Sequence, residues 1–132
     1  MTKADFRKVV CFDFDGVLHA YTSGWKGPDV VADDPVPGAM QALMAYWKAG
    51  FKIAVFSSRS GQFGGIAAMR SALRNWAIDV FDLGEAEELL ADIDYPTTKP
   101  PAWLIIDDRA FAFQGTFPAA DYIENFKPWN KP

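Results

Sequence analysis

The stretch Val9-Val10-Cys11-Phe12-Asp13-Phe14-Asp15-Gly16-Val17 decides how this chain is read. An apolar run rich in β-branched and aromatic residues stops at two aspartates and a glycine, the pattern of a fully buried strand that opens into a turn. Alternation along a strand would put Asp13 and Asp15 on one face and Phe14 on the other, with Gly16 permitting a sharp turn just beyond. The same pattern recurs outward from this stretch. Lys52-Ile53-Ala54-Val55-Phe56 reads as a second buried strand ending at Ser57-Ser58-Arg59, and Trp103-Leu104-Ile105-Ile106 as a fourth, running into Asp107-Asp108-Arg109. A short third strand is expected around Val80 to Leu83, and at most a fifth near Tyr122.

Helical spacing fills the intervals. Met40, Leu43, Met44 and Trp47 fall at i, i+3, i+4 and i+7 after Pro37, with Gly50 past the end. Ile66, Met69, Leu73 and Trp76 mark a second amphipathic helix after the Gly61 to Gly65 loop, and Ala86, Leu89, Leu90 and Ile93 a third. Strands alternating with helices predict an α/β protein: a three-layer, Rossmann-like arrangement with a mainly parallel central sheet covered on both faces. Ligands in such folds collect at the C-terminal ends of the strands, where the aspartates and serines fall. Residues 18–36, with Gly24, Gly27, Pro28 and Pro35, are long for a connection and read as a functional loop or flap.

The 132 residues fit one domain, 1–132, and the 50% hydrophobic and 15% aromatic content supports a real core and excludes general disorder. No apolar run approaches the roughly 18 to 20 residues of a membrane-spanning helix, and the first residues lack a hydrophobic signal core, so a cytoplasmic protein without a membrane partner is expected. Seventeen acidic against thirteen basic residues give a formal charge of −4, which disfavours polyanion binding by the chain as a whole but leaves room for a local basic site. The single cysteine, Cys11, excludes an intrachain disulfide and a cysteine-based zinc cluster, and reads as a core residue.

Aspartates are common in turns, so neither Asp13-x-Asp15 nor Asp107-Asp108 means much alone. Together they imply chemistry. Carboxylates held close repel, and a divalent cation or a shared proton must relieve them; oxygen ligands of this kind suit magnesium. Adjacent strand residues point opposite ways, so one of Asp107 and Asp108 is expected to reach the site directly and the other through water or after a turn.

These residues resemble the motifs of the haloacid dehalogenase-like (HAD) superfamily of aspartate-dependent phosphohydrolases, over roughly residues 8 to 110. The resemblance implies a magnesium-dependent phosphatase that acts on a phosphate monoester through an aspartyl-phosphate. It makes Asp13 the nucleophile and Asp15 the general acid/base, assigns Ser57 to the transferred phosphoryl group with Ser58 as a close rival, and needs a lysine. Lys99 is the only lysine between Ile53 and Phe126. Asp13, Asp15, Asp107 and Asp108 form the implied metal set, with Asp107 the expected direct ligand among the last two. Ser58, Arg59 and Gly16 complete the implied substrate-binding set. The assignment requires Asp15 to hold its proton more tightly than a metal-bound Asp13 does.

Members of this superfamily often carry a cap domain. Only 41 residues separate Ser57 from Lys99, and two helices and a strand consume them, so a capless site is expected, open unless the flap or a second subunit covers it. An open site suits large as well as small substrates, and an oligomer is possible. Arg59 and Arg109 follow their motifs directly and could bind a second anion or pair with the neighbouring aspartates. His19 reads as an incidental loop histidine, and Tyr21 and Trp25 as anchors of the flap or, alternatively, as stacking groups for a ring. Two other functions stay open: a phosphatase partner acting on 3′- or 5′-phosphorylated nucleic-acid ends within a larger complex, and a phosphate-binding module without turnover.

Overall fold

The computed structural model describes residues 5–131. Its centre is a sheet of three parallel strands, β1 (Val9–Phe12), β2 (Lys52–Val55) and β3 (Leu104–Ile106), in the order β2-β1-β3. β1, apolar throughout, takes the middle place, where both edges are hydrogen-bonded. Val10 lies beside Ile53 on one side and Leu104 on the other, and Phe12 beside Val55 and Ile106. This register brings the ends of all three strands, and the polar residues after them, to one edge.

Helix α1 (Ala39–Lys48) follows the flap and buries Met40, Leu43 and Met44, three positions of the expected stripe. A short 3-10 turn, Ser58–Gly61, leads from β2 into α2 (Gly65–Ile78), which buries Met69, Ala72, Leu73 and Ala77. Gly65 is required there, because a Cβ at that position would overlap the Arg59 carbonyl. Helix α3 (Leu83–Asp92) is capped by the Asp82 side chain, which accepts from Glu85 N–H at 2.9 Å, and buries Ala86 and Leu89. These faces close on Val10, Phe12, Phe14, Leu18, Ile53 and Val55 in one core. Among the described residues no helix is long and apolar enough to cross a membrane.

Three expectations fail. Val80 to Leu83 forms no strand: Val80 and Phe81 N–H both turn back to the Ala77 carbonyl, and Asp82 then starts a helix. Two apolar residues before a strong capping aspartate are too few to compete with that cap. Only Asp94, after α3, touches the outer edge of β2, through a single bridge to Ala54. The segment near Tyr122 is a short helix, α4 (Ala120–Glu124), without a buried residue. β3 is a strand as expected but is not buried: Leu104 is 55% and Ile105 37% exposed. The architecture is therefore mixed α/β on a small open sheet of three parallel strands with four α-helices among the described residues.

Candidate active site

β1 and β3 are neighbours in register, so the carboxylates that follow them must meet. Asp13 N–H donates to the Ile106 carbonyl at 2.9 Å, stitching the first residue after β1 to the last residue of β3. Asp13, Asp107 and Asp108 then each present an oxygen within 4.8 Å of the others. Asp13 Oδ1 accepts from Phe14 N–H and Asp107 Oδ1 from Arg109 N–H, while Asp108 Oδ1 is buried with no hydrogen-bond partner. Burial first, and then the Asp108 and Asp107 carboxylates, push Asp13 up to about 8. Three converging carboxylates, one buried oxygen without a donor and a disfavoured charge on Asp13 suit a hard divalent cation, which prefers oxygen ligands. Both Asp107 and Asp108 reach this cluster, although adjacent strand residues should diverge, because the strand ends at Ile106 and the pair lies in the turn beyond it.

The glycine in the first motif acts on the same cluster. Gly16 has φ 87°, and any Cβ there would run into the Asp108 carboxylate. Its N–H donates to the His19 carbonyl, and its own carbonyl accepts from Trp129 Nε1 at 2.7 Å. Gly16 thus makes space for Asp108.

Asp15 belongs to a different network. Both its oxygens accept from Arg59, Oδ2 from Nε at 2.8 Å and Oδ1 from Nη2 at 3.0 Å, and Oδ1 also meets His19 Nδ1 at 2.8 Å. His19 Nε2 accepts from Asp33 N–H at 3.1 Å, which leaves the ring proton on Nδ1 to donate to Asp15. Burial would raise Asp15, but the hydrogen bonds from His19 and Arg59 and the Arg59 charge outweigh it, and the net shift is downward. In the metal-free chain the two aspartates thus shift in opposite directions, Asp13 up and Asp15 down.

Of the two roles open to Arg59, pairing with a neighbouring aspartate is the one its geometry shows. The arginine is fully buried, and Nη1 donates to the carbonyls of Gly27, Pro28 and Val30, so its donors face Asp15 and the flap rather than a substrate anion. His19 is likewise buried and tied at both ring nitrogens. Together they hold the flap as a shaped structure whose ends pair, Ala20 N–H to the Asp34 carbonyl and Val36 N–H to that of Leu18.

Above these groups opens a cavity of about 400 Å³. Its polar floor is Asp13, Asp15, Asp107 and Asp108 with Ser57 and Ser58, and Tyr21, Trp25 and Arg109 complete the walls. Ser57 Oγ accepts from Arg59 N–H as the cap of the 3-10 turn, which leaves its O–H free to donate, and Ser58 is exposed beside it. Tyr21 and Trp25 both anchor and line: Tyr21 packs edge-on to His19, and the Arg59 guanidinium lies 4.8 Å from the Trp25 ring centre. Lys99 does not line the cavity; it is exposed, and its charge partly offsets the burial that raises the Cys11 thiol. The cationic side chain of the lining is Arg109. No signal in the sequence pointed to Trp129, which reaches Gly16 across 113 positions, or to the dual use of Arg59.

Set against known proteins, the chain matches no family model, no curated protein and no solved structure.

Proposed function

We propose that this chain is a magnesium-dependent phosphatase of the HAD type that hydrolyses a phosphate monoester through an aspartyl-phosphate, with the three-layer Rossmann-like fold and capless plan of that superfamily. The observation that carries the reading is the convergence of Asp13, Asp107 and Asp108 at the ends of two paired parallel strands, one oxygen of Asp108 buried without a partner. A bound divalent cation would offset the repulsion between these carboxylates and an anionic phosphate.

The chain's own residues do the rest. An Asp13 oxygen attacks phosphorus, the P–O bond to the leaving alcohol breaks, and water later cleaves the acyl phosphate to regenerate the carboxylate. Ser57, with its free O–H, and Ser58 offer donors to the equatorial oxygens, and Arg109 supplies the positive charge of the cavity wall. Asp15 lies in the same cavity outside the cation cluster and is the residue placed to hand a proton to the leaving oxygen and later take one from water. To do so it must be protonated against Arg59. The flap supplies the water exclusion that a cap supplies elsewhere. A buried free Cys11 fits a reducing, cytoplasmic setting.

The test is hydrolysis of p-nitrophenyl phosphate with and without magnesium. Activity is expected only with the metal and is expected to vanish in Asp13→Asn; undiminished turnover in excess chelator, or in that variant, rejects the reading.

A further inference from the structure

We propose that this chain forms a two-fold homodimer whose interface is the bare strand β3 together with the apolar tail, residues 110–131. The proposal is independent of the phosphatase reading.

Strands of parallel sheets in α/β proteins are covered on both faces. β1 and β2 obey this: Val10, Cys11, Phe12, Ile53, Ala54 and Val55 are all buried. β3 does not. Leu104 and Ile105 are successive strand residues and so point to opposite faces, yet both are exposed. Among the described residues the strand also pairs on one side only, with β1, so its outer edge offers backbone donors and acceptors for a further strand. The tail adds to this surface, with Phe111, Phe113, Phe117, Tyr122 and Ile123 exposed.

The area fits a second copy. The chain exposes 8368 Å² at a mass of 14.6 kDa. A folded monomer of that mass exposes about 6,900 Å² by the usual scaling, so the chain exposes more surface than a compact monomer of its mass. A standard interface buries about 800 Å² per partner, and obligate dimers bury more than about 1,000 Å². An excess of surface is what a subunit carries before it associates.

Self-pairing also suits the chemistry. An edge strand opposed to its own copy across a two-fold axis is antiparallel and self-complementary. Pro100 and Pro101 before β3 and Asp107-Asp108 after it keep that edge short, so it would set register while the tail supplies area. Beyond the cavity residues the tail carries Lys127 and Lys131 against Asp121 and Glu124, a balance that lets two identical surfaces meet with opposite signs in contact. A nucleic acid or an anionic membrane would call for a basic surplus that this surface lacks.

The test is sedimentation equilibrium of the full chain from about 1 to about 100 µM, together with thermal unfolding and amide hydrogen exchange over the same range. A species of twice 14.6 kDa is expected, with a Tm that rises with concentration and with slowed exchange in 104–106 and in the tail on association. The Phe117→Asp/Ile123→Asp variant is expected to sediment as a folded monomer. A wild-type monomer at the highest concentration, an open-ended series of aggregates, a folded variant that stays dimeric, or association that leaves exchange in 104–106 and the tail unchanged would each overturn the proposal. Should the variant not fold, the wild-type Tm series and exchange map decide alone.

Discussion

Arg59 and Asp15, 44 positions apart, are joined by two side-chain hydrogen bonds of 2.8 and 3.0 Å, with the arginine fully buried and the aspartate side chain 13% exposed. The same guanidinium holds three flap carbonyls, so one side chain fixes both the second aspartate of the first motif and the loop that walls the cavity.

Arg59→Met should therefore cost about 3–5 kcal/mol, because it strips a largely buried carboxylate of its charged partner and leaves it only the His19 hydrogen bond. Arg59→Lys keeps a charge but not the fork and should fall between that variant and the wild type. Urea unfolding measures this, and a loss under about 1 kcal/mol for Arg59→Met would mean that the pair does not anchor the flap.

Asp13 sets a dependence on pH. Its folded value, about 8, lies above the ordinary carboxyl value of 3.8, so between the two the folded chain holds a proton that the unfolded chain has released. Stability is then greatest at the acid end of this window and is lost as pH rises through about 8. Magnesium, which binds the ionised carboxylates, should flatten or reverse that fall. Calorimetric Tm values at about pH 5, 6.5 and 8, with and without the metal, check both parts. Asp15, shifted downward, adds stability that is lost only as pH falls below the ordinary carboxylate range, outside this window.

Asp13→Asn and Asp15→Asn should move stability in opposite directions. The first removes a crowded charge and should raise the metal-free Tm near pH 8 while abolishing turnover. The second strands the buried Arg59 and should lower the Tm, with only partial loss of metal binding, because Asp15 stands outside the cluster of Asp13, Asp107 and Asp108. Thermal melts and magnesium titration of both variants check this; equal losses of metal affinity would place Asp15 among the ligands.

Gly16→Ala and Gly24→Ala separate backbone strain from site geometry. Both glycines have positive φ, 87° and 78°, and each substitution should cost about 1–2 kcal/mol in strain. Only at Gly16 does the new Cβ meet Asp108, whereas nothing lies near Gly24. Magnesium affinity by titration calorimetry should fall several-fold in Gly16→Ala and hold in Gly24→Ala.

The strands and helices with long periodic patterns were legible from the residues alone, because burial of a repeating apolar face is a local property: β1, β2 and the faces of α1 and α2 lie where Val10, Ile53, Leu43 and Met69 place them. So was the meeting at one edge of the carboxylates that follow β1 and β3, since parallel strands that end in carboxylates bring them together, but that Asp108 joins Asp107 there while Asp15 stands apart was not. Short segments were not legible. Val80-Phe81 carries strand-forming residues, but a cap at Asp82 and hydrogen bonds to Ala77 decide its conformation, and β3 shows that an apolar run does not reveal whether anything covers it. The partners of polar side chains were settled only by tertiary structure. Arg59 could have met an anion or a neighbouring aspartate and Lys99 a phosphate; the flap folds over Arg59 and closes it onto Asp15, while Lys99 stays exposed outside the cavity. A charged side chain takes the best desolvated partner within its reach, and that reach depends on segments tens of residues away.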